Sequence, residues 1–318
     1  MKQSIHPSSL GRVGVLMGGY SSERPISLKS GTAVFEALKQ SGCQVSALDI
    51  TAEDENEISQ LIGQAKIDVA FIALHGRLGE DGTIQAILEH LKIPYTGSGV
   101  KASQLALNKS LAQQIFQQNN LPVPKHVVLS PDDKSSAEQV INQLGGLPIV
   151  VKPTCEGSSI GVTVVRTPQQ FSEALAAAFQ YGPEVLIERF IEGKELTVGI
   201  LGDEFLPVIE IRPKNPFFDF KAKYQSGMTE YIIPAQISEK VAQQVGQTAL
   251  KAHRVLGCRD FSRVDVMLNG SGNFYILEIN TIPGFTSTSL LPKAAKQAGL
   301  EFAQLCLLLI QMAYEKKK

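Results

Sequence analysis

The chain has no tryptophan, and its four cysteines (Cys43, Cys155, Cys258 and Cys306) lie far apart with no CxxC pair. That spacing excludes a disulfide framework and a thiolate metal ribbon, and fits a reducing compartment. Excess charge of one sign is also lacking. Thirty basic and 31 acidic residues leave a formal net charge of −1, no footing for a partner held through nucleic-acid phosphates. No apolar run reaches the roughly 18 residues of a membrane span, and "LCLLLIQMAY" is too short. The opening "MKQSIHPSSLGRVGVLMGG" lacks an apolar core with a small-residue cleavage site, so no secretory signal is expected. What remains is a 318-residue chain, 43% of it apolar, enough for a large core and two or three domains. The expectation is a soluble intracellular protein of enzyme size.

The first hundred residues alternate strand and helix patterns. "RVGVLM", "QVSALDI" and "IDVAFIAL" read as strands, separated by helices over "ISLKSGTAVFEALKQSG" and "ENEISQLIGQ", with "DGTIQAILEHLK" following. This rhythm predicts a doubly wound parallel sheet, with functional groups at the strand C-terminal ends, in "GGYSSE" and "HGRLGEDG". From about Ser98 the rhythm changes. One long helix is expected over Ala102–Asn119, then strands in "HVVL", "PIVVK", "GVTVV" and "PEVLIERF", and a hairpin in "ELTVGILGDEFLPVIEI". Residues 212–234 show neither helical nor strand period, the mark of a lid or a disordered loop. A helix over Ser238–Leu256 leads into a last hairpin.

That hairpin, "RVDVMLNGSGNFYILEIN", alternates apolar residues (Val264, Val266, Leu268; Tyr275, Leu277, Ile279) with Arg263, Asp265, Glu278 and Asn280. A four-residue loop, Gly270–Asn273, sets Asp265 opposite Glu278 and Arg263 opposite Asn280. A five-residue loop turns Glu278 to the other face. Facing carboxylates repel unless a cation lies between them, and oxygen ligands from Asp, Glu and Asn suit Mg²⁺, which commonly accompanies phosphates. A solvated charged sheet face is the other reading, and the register is left open by the sequence.

"PIVVKPTCEGSSIGVTVV" sets a lysine before a Gly- and Ser-rich turn. It is not a P-loop, yet Gly157, Ser158 and Ser159 offer N–H and hydroxyl groups to phosphate oxygens beside Lys152. "EVLIERFIEGKE" reads as a segment passing over a flat apolar ligand, flanked by Glu188 and Glu195, and a carboxylate can accept both hydroxyls of a ribose; surface glutamates are the other reading. A dehydrogenase would show GxGxxG after the first strand, where "LMGGYSSE" stands; "GSGVKA" lies elsewhere and reads as a turn and helix start.

Together, "GGYSSERPISLKSG", "HGRLGEDG", "LNK", "VKPTCEGSSIGV", "LIERFIEGKELTV", "KAKY" and "RVDVML…EINTIPGFTSTSLLP" resemble, in this order, the D-alanine–D-alanine ligases, ATP-grasp enzymes. The resemblance covers nearly the whole chain from about Val13. It implies an α/β chain of α+β ATP-grasp type: a doubly wound domain over 1–97, ATP-grasp subdomains over 98–188 and 189–318 sandwiching the nucleotide, and a lid over about 212–234. The implied activity is ATP-dependent joining of two D-alanines through an acyl phosphate, serving peptidoglycan precursor synthesis, in a cytoplasmic homodimer without nucleic-acid or membrane partners. D-alanine–D-lactate ligation, or another ATP-grasp carboxylate–amine ligation, is the alternative, and Tyr224 favours the amine.

By this resemblance Lys109, Lys152, Gly157 and Ser159 serve the ATP phosphates, Glu188 and the backbone of Arg189 and Ile191 the adenine, and Glu195 the ribose. Asp265, Glu278 and Asn280 hold Mg²⁺ (two ions) or Mn²⁺. Glu23, with His75 nearby, takes the first ammonium; Ser289, the Leu290 backbone and Lys223 take the second carboxylate. Arg263 and the Gly284 N–H stabilise the oxyanion, and Glu23, Ser158 and Tyr224 form one hydrogen-bonded chain. Cys155, Phe190 and Pro25 depart from the family pattern at positions that bear on affinity.

Overall fold

The computed structural model describes residues 7–213 and 228–315. Three sheets organise them. The first is parallel, with β1 (Arg12–Gly18) between β2 (Gln44–Ile50) and β3 (Val69–Ile72). β1 and β3 are apolar and almost wholly buried, as befits strands covered on both faces. Their C-terminal ends open at the crevice where the connections diverge, the usual ligand position of such sheets.

The second sheet has the order β4 (His126–Leu129), β7 (Val185–Arg189), β5 (Ile149–Pro153), β6 (Thr163–Val165). It is backed by helices over Ala137–Leu144 and Phe171–Phe179, neither of them anticipated above. Signals were present: Ser136 and Gln139 form a capping box at the start of the first helix.

The third sheet runs β11 (Thr229–Ile232), β10 (Ile209–Pro213), β8 (Gly193–Leu201), β12 (Phe261–Asn269), β13 (Phe274–Asn280), with β9 (Glu204–Phe205) on β8. Its apolar face packs beneath the helix Glu239–Val255 through Leu196, Val198, Val264, Val266 and Val245.

Three expectations are corrected. The long helix is two, Val100–Leu107 and Lys109–Gln118. Asn108 breaks it by going extended, and its side chain accepts from the N–H groups of Ser110 and Leu111, so the polar cap competes successfully with helix continuation. Residues 212–234 are not structureless at their ends: Arg212 and Pro213 belong to β10, which pairs with Thr229–Ile232. The tract between lies outside the described residues, and with it Lys223 and Tyr224.

The third correction concerns the hairpin. Leu268 lies opposite Phe274, and Asn269 N–H reaches the Asn273 carbonyl at 2.8 Å. The connection is therefore three residues, Gly270–Gly272, closed by Asn269 Oδ1, which accepts from Ser271 and Asn273 N–H. Alone, that loop would set Leu277 opposite Asp265. A β-bulge between Asp265 and Val266 shifts the register, and Asp265 faces Glu278 after all. The buried residues of β13 are accordingly Ile276 and Ile279, three apart, while Tyr275 and Leu277 are only partly buried and line the cleft.

Candidate active site

A cleft of about 1190 Å³ lies between the second and third sheets. Its floor is one face of the third sheet, ordered in rows by register. Ile211, Glu195, Met267 and Tyr275 form one row; Thr197, Asp265 and Glu278 the next; Gly199, Arg263 and Asn280 the third. Asp265 thus sits mid-floor. It accepts from Thr197 Oγ1 at 2.6 Å, from Asn280 Nδ2 at 3.3 Å, and from Arg263 by two bonds of 2.9 and 2.7 Å. Lys109 Nζ stands 3.4 Å from Glu278 Oε2 and donates to the Glu156 carbonyl at 2.6 Å. Among the described residues no group of three or more His, Cys, Asp or Glu side chains forms a metal cluster. The candidate set is two opposed carboxylates and an amide, with cations already drawn to them.

The roof belongs to the second sheet. Lys152 Nζ lies 2.6 Å from Glu188 Oε2, both side chains almost fully buried. Adjacent strands β5 and β7 explain the pair, with Lys152 paired to Leu186 and Val150 to Glu188. Arg189 N–H is given to the Lys125 carbonyl. After β5 the Gly157–Ile160 turn carries two left-handed serines, Ser158 (φ +53) and Ser159 (φ +60). Such conformations cost about 1 kcal/mol each, and tertiary bonds must hold them. One is visible: Ser158 Oγ donates to Glu23 Oε1.

Glu23 enters from the first sheet, at the start of the helix Arg24–Gln40. Its carboxylate is hemmed in by two glycines. A Cβ at Gly76 would stand 2.8 Å from Glu23 Oε2, and one at Gly157 3.2 Å. His75 is buried with both ring nitrogens engaged, Nδ1 with the Ile282 carbonyl and Nε2 with the Ser30 hydroxyl, each at 3.0 Å; with Nδ1–H donating to the carbonyl, the neutral ring accepts from Ser30 at Nε2. Ser30 Oγ in turn accepts from Phe285 N–H. Phe285 wedges edge-on against Phe71 and Phe261, and this fixes the preceding Gly284 at the rim. Ser289 caps the helix Leu290–Gln297 in position only; its Oγ accepts from Thr286 N–H at 3.0 Å.

Sequence reasoning missed several residues of this site. Thr197 alternates with Glu195 along β8 and so shares its face. Glu210 is buried beneath Lys194 and Arg212 at the lip of the cleft. Burial alone would push its carboxyl up, but hydrogen bonds from Arg212 and Lys194 outweigh it and bring it below the usual range. Gln113, one turn after Lys109, signalled itself only through helical period.

A family model described as D-ala D-ala ligase C-terminus matches residues 115–311, and one described as D-ala D-ala ligase N-terminus matches residues 52–98. The D-alanine–D-alanine ligase of Trichlorobacter lovleyi is 49% identical over 295 residues, covering 92% of each chain. That of Geotalea uraniireducens is 48% identical over 294 residues, covering 92% of this chain and 93% of the relative. Among solved structures, the Bacillus anthracis D-alanine–D-alanine ligase superposes with a TM-score of 0.86 at 34% identity, covering 96% of this chain and 98% of that one. VanG D-Ala:D-Ser ligase from Enterococcus faecalis gives 0.81 at 30% identity, covering 95% and 99%. With relatives nearly half identical along almost its whole length, the chain belongs to the D-alanine–D-alanine ligase family and has its ATP-grasp fold.

Proposed function

We infer that the protein joins two D-alanines to D-alanyl-D-alanine, converting ATP to ADP and phosphate, for peptidoglycan precursor synthesis. The observation that carries this reading is the convergence of three sheets on one cleft. Lysines and opposed carboxylates line its nucleotide side, and Glu23, bonded to the phosphate-loop Ser158, marks its substrate end. A carboxylate oxygen of the first D-alanine attacks the γ-phosphorus, releasing ADP and leaving an acyl phosphate. The amine of the second attacks that carbonyl, and the tetrahedral oxyanion collapses with loss of phosphate and a proton.

Phosphoryl transfer asks mainly for positioning and charge neutralisation. Lys109, Lys152 and the N–H groups of Gly157 and Ser159 serve the phosphates in this reading. Glu188 and the backbone at Arg189 and Ile191 serve the base, and Glu195 the ribose. Asp265, Glu278 and Asn280 would hold Mg²⁺ or Mn²⁺, two ions in the fullest case; their donors are all oxygen and lie on adjoining rows, which fits a hard cation. When bound, it neutralises charge on the transferring phosphoryl group. Glu23 takes the first ammonium, with His75 beside it on the substrate side. Arg263 and Gly284 N–H face the oxyanion, and Ser289, Leu290 and Lys223 the second carboxylate, with Tyr224 closing the Glu23–Ser158 chain. Division at 97 and 188, a homodimer and a cytoplasmic setting belong to the same proposal. Among the described residues no helix is long and apolar enough to cross a membrane.

Phosphate release from ATP, measured in parallel with D-alanine, L-alanine and D-lactate, tests the reading. Release with D-alanine alone is expected; equal release with D-lactate would move the assignment to an ester-forming ligase. Light scattering of the purified chain should return twice the monomer mass.

A further inference from the structure

The helix Lys109–Gln118 carries Lys109 and Gln113 one turn apart on the same face. Gln113 is fully buried, and no chemistry above uses it. Its Nε2 donates to Glu188 Oε1 and, at 3.3 Å, to the Leu277 carbonyl. Its Oε1 is buried without a partner among the described residues. Both partners of Nε2 are acceptors only, so the amide can stand only this way round; reversed, it would press a carbonyl oxygen against a carboxylate.

Leu277 is the residue at which the bulge sets β13 back in register. One amide therefore ties together two parts of the cleft that sequence separates by 89 positions: the carboxylate of Glu188 and the bulged strand that bears Glu278. We propose that Gln113 is a positioning residue that sets adenine preference, by fixing Glu188 as an acceptor and holding Leu277 as the apolar wall for the same base. The inference rests on the reading that ATP binds with its base at Glu188.

With Lys152 on one carboxylate oxygen and Gln113 on the other, Glu188 cannot pivot. Its remaining lone pairs face the cleft, where they accept from the 6-amino group of adenine and repel the 6-oxo group of hypoxanthine or guanine. Without the Gln113 amide the carboxylate hinges on Lys152 alone, and the Leu277 carbonyl loses its tie to the helix, which loosens the wall.

The test compares Gln113→Met, which keeps length and removes both donors, with Gln113→Lys, whose ammonium only donates and so satisfies both acceptors. Steady-state constants are measured with ATP and with inosine triphosphate. Gln113→Met is expected to raise KM for ATP about tenfold, the loss of one net hydrogen bond. kcat should stay within threefold, KM for D-alanine within twofold, and the ATP-to-ITP preference should narrow about tenfold. Gln113→Lys is expected to keep the preference. A merely packing role predicts the reverse order, since methionine fits an apolar setting better than a charge. An unchanged nucleotide preference in Gln113→Met, or a Gln113→Lys no better than it, overturns the proposal. Gln113→Leu replaces the methionine variant if that fails to fold. Glu188→Gln separates the layers: if it too leaves ATP affinity and preference intact, the placement of the base fails along with the inference. If it shifts both while Gln113→Met shifts neither, only the role of Gln113 fails.

Discussion

Replacing Glu278 by glutamine keeps the shape of the side chain and removes one charge from the floor of the cleft. Lys109 Nζ is 3.4 Å away, and the two side chains are 10% and 24% exposed. At an effective dielectric of about 20 the gross attraction is about 5 kcal/mol. Desolvation of both groups offsets most of it, leaving about 1 kcal/mol. A second change works the other way. Glu278 lies directly opposite Asp265, where Cβ atoms are roughly 5 Å apart, and neutralising it relieves a like-charge repulsion of comparable size. Lys109 also keeps its bond to the Glu156 carbonyl. The two effects nearly cancel, so Tm should move by less than about 3 °C. Turnover is different, because in the proposed reaction the lost charge is one that holds a divalent cation against the transferring phosphoryl group; kcat should fall by at least about 100-fold. Coupled phosphate release at saturating D-alanine, titrated with Mg²⁺ and paired with a thermal melt, measures both. A variant with more than a tenth of the parent activity, or one that loses about 8 °C or more in Tm, refutes the assignment of Glu278 to chemistry rather than to architecture.

Three further expectations follow from the geometry. Deleting Leu277 should give a regular hairpin that still pairs Asp265 with Glu278, so Mg²⁺-dependent kcat should hold within about threefold while KM for ATP rises about tenfold, the loss of an apolar wall; a collapse of kcat would mean the bulge itself is needed. Asn108→Ala removes the cap before Lys109 and should cost about 1 kcal/mol, seen as a lower Tm and a weaker grip on ATP, with Asn108→Asp restoring both; equal behaviour of the two variants would show the cap to be idle. His253 is buried beside Ser262 Oγ at 2.7 Å, and burial, with help from Arg254, pushes its imidazole down to about 4. The unfolded chain binds that proton near pH 6.5, so the stability is whole above that pH and drains away as pH falls from about 6.5 to about 4, by about 3 kcal/mol in all. Melts of the parent and His253→Gln across that range should converge at neutral pH and diverge below it.

Much of this was legible in the sequence, because the βαβ rhythm is a strong periodic signal and because strand alternation puts Glu195, Asp265 and Glu278 within reach of one face. The facing of Asp265 and Glu278 was anticipated, but by the wrong route. A four-residue and a five-residue loop were the registers weighed, whereas a three-residue loop and a bulge act together, and nothing in alternation alone reveals a bulge. The helix break at Asn108 was written in the residue itself, whose side chain competes for backbone N–H groups, yet the apolar period ran through it without a gap. Glu188 was assigned to a base, but its ion pair with Lys152 joins residues 36 positions apart in the chain, brought together because their strands lie side by side, and no local pattern carries that.

The hairpin that bears Asp265 and Glu278 behaves like a message with two compensating frameshifts. The short turn drops the pairing by one position and the bulge restores it, so only the stretch between the two edits reads out of phase. Whatever happens to the turn is confined to that stretch as long as the bulge can move to match. The tip of the hairpin is thereby released to vary in length without reversing the face on which the carboxylates stand, and counting residues back from the turn is an unsafe way to locate them in any relative built on the same plan.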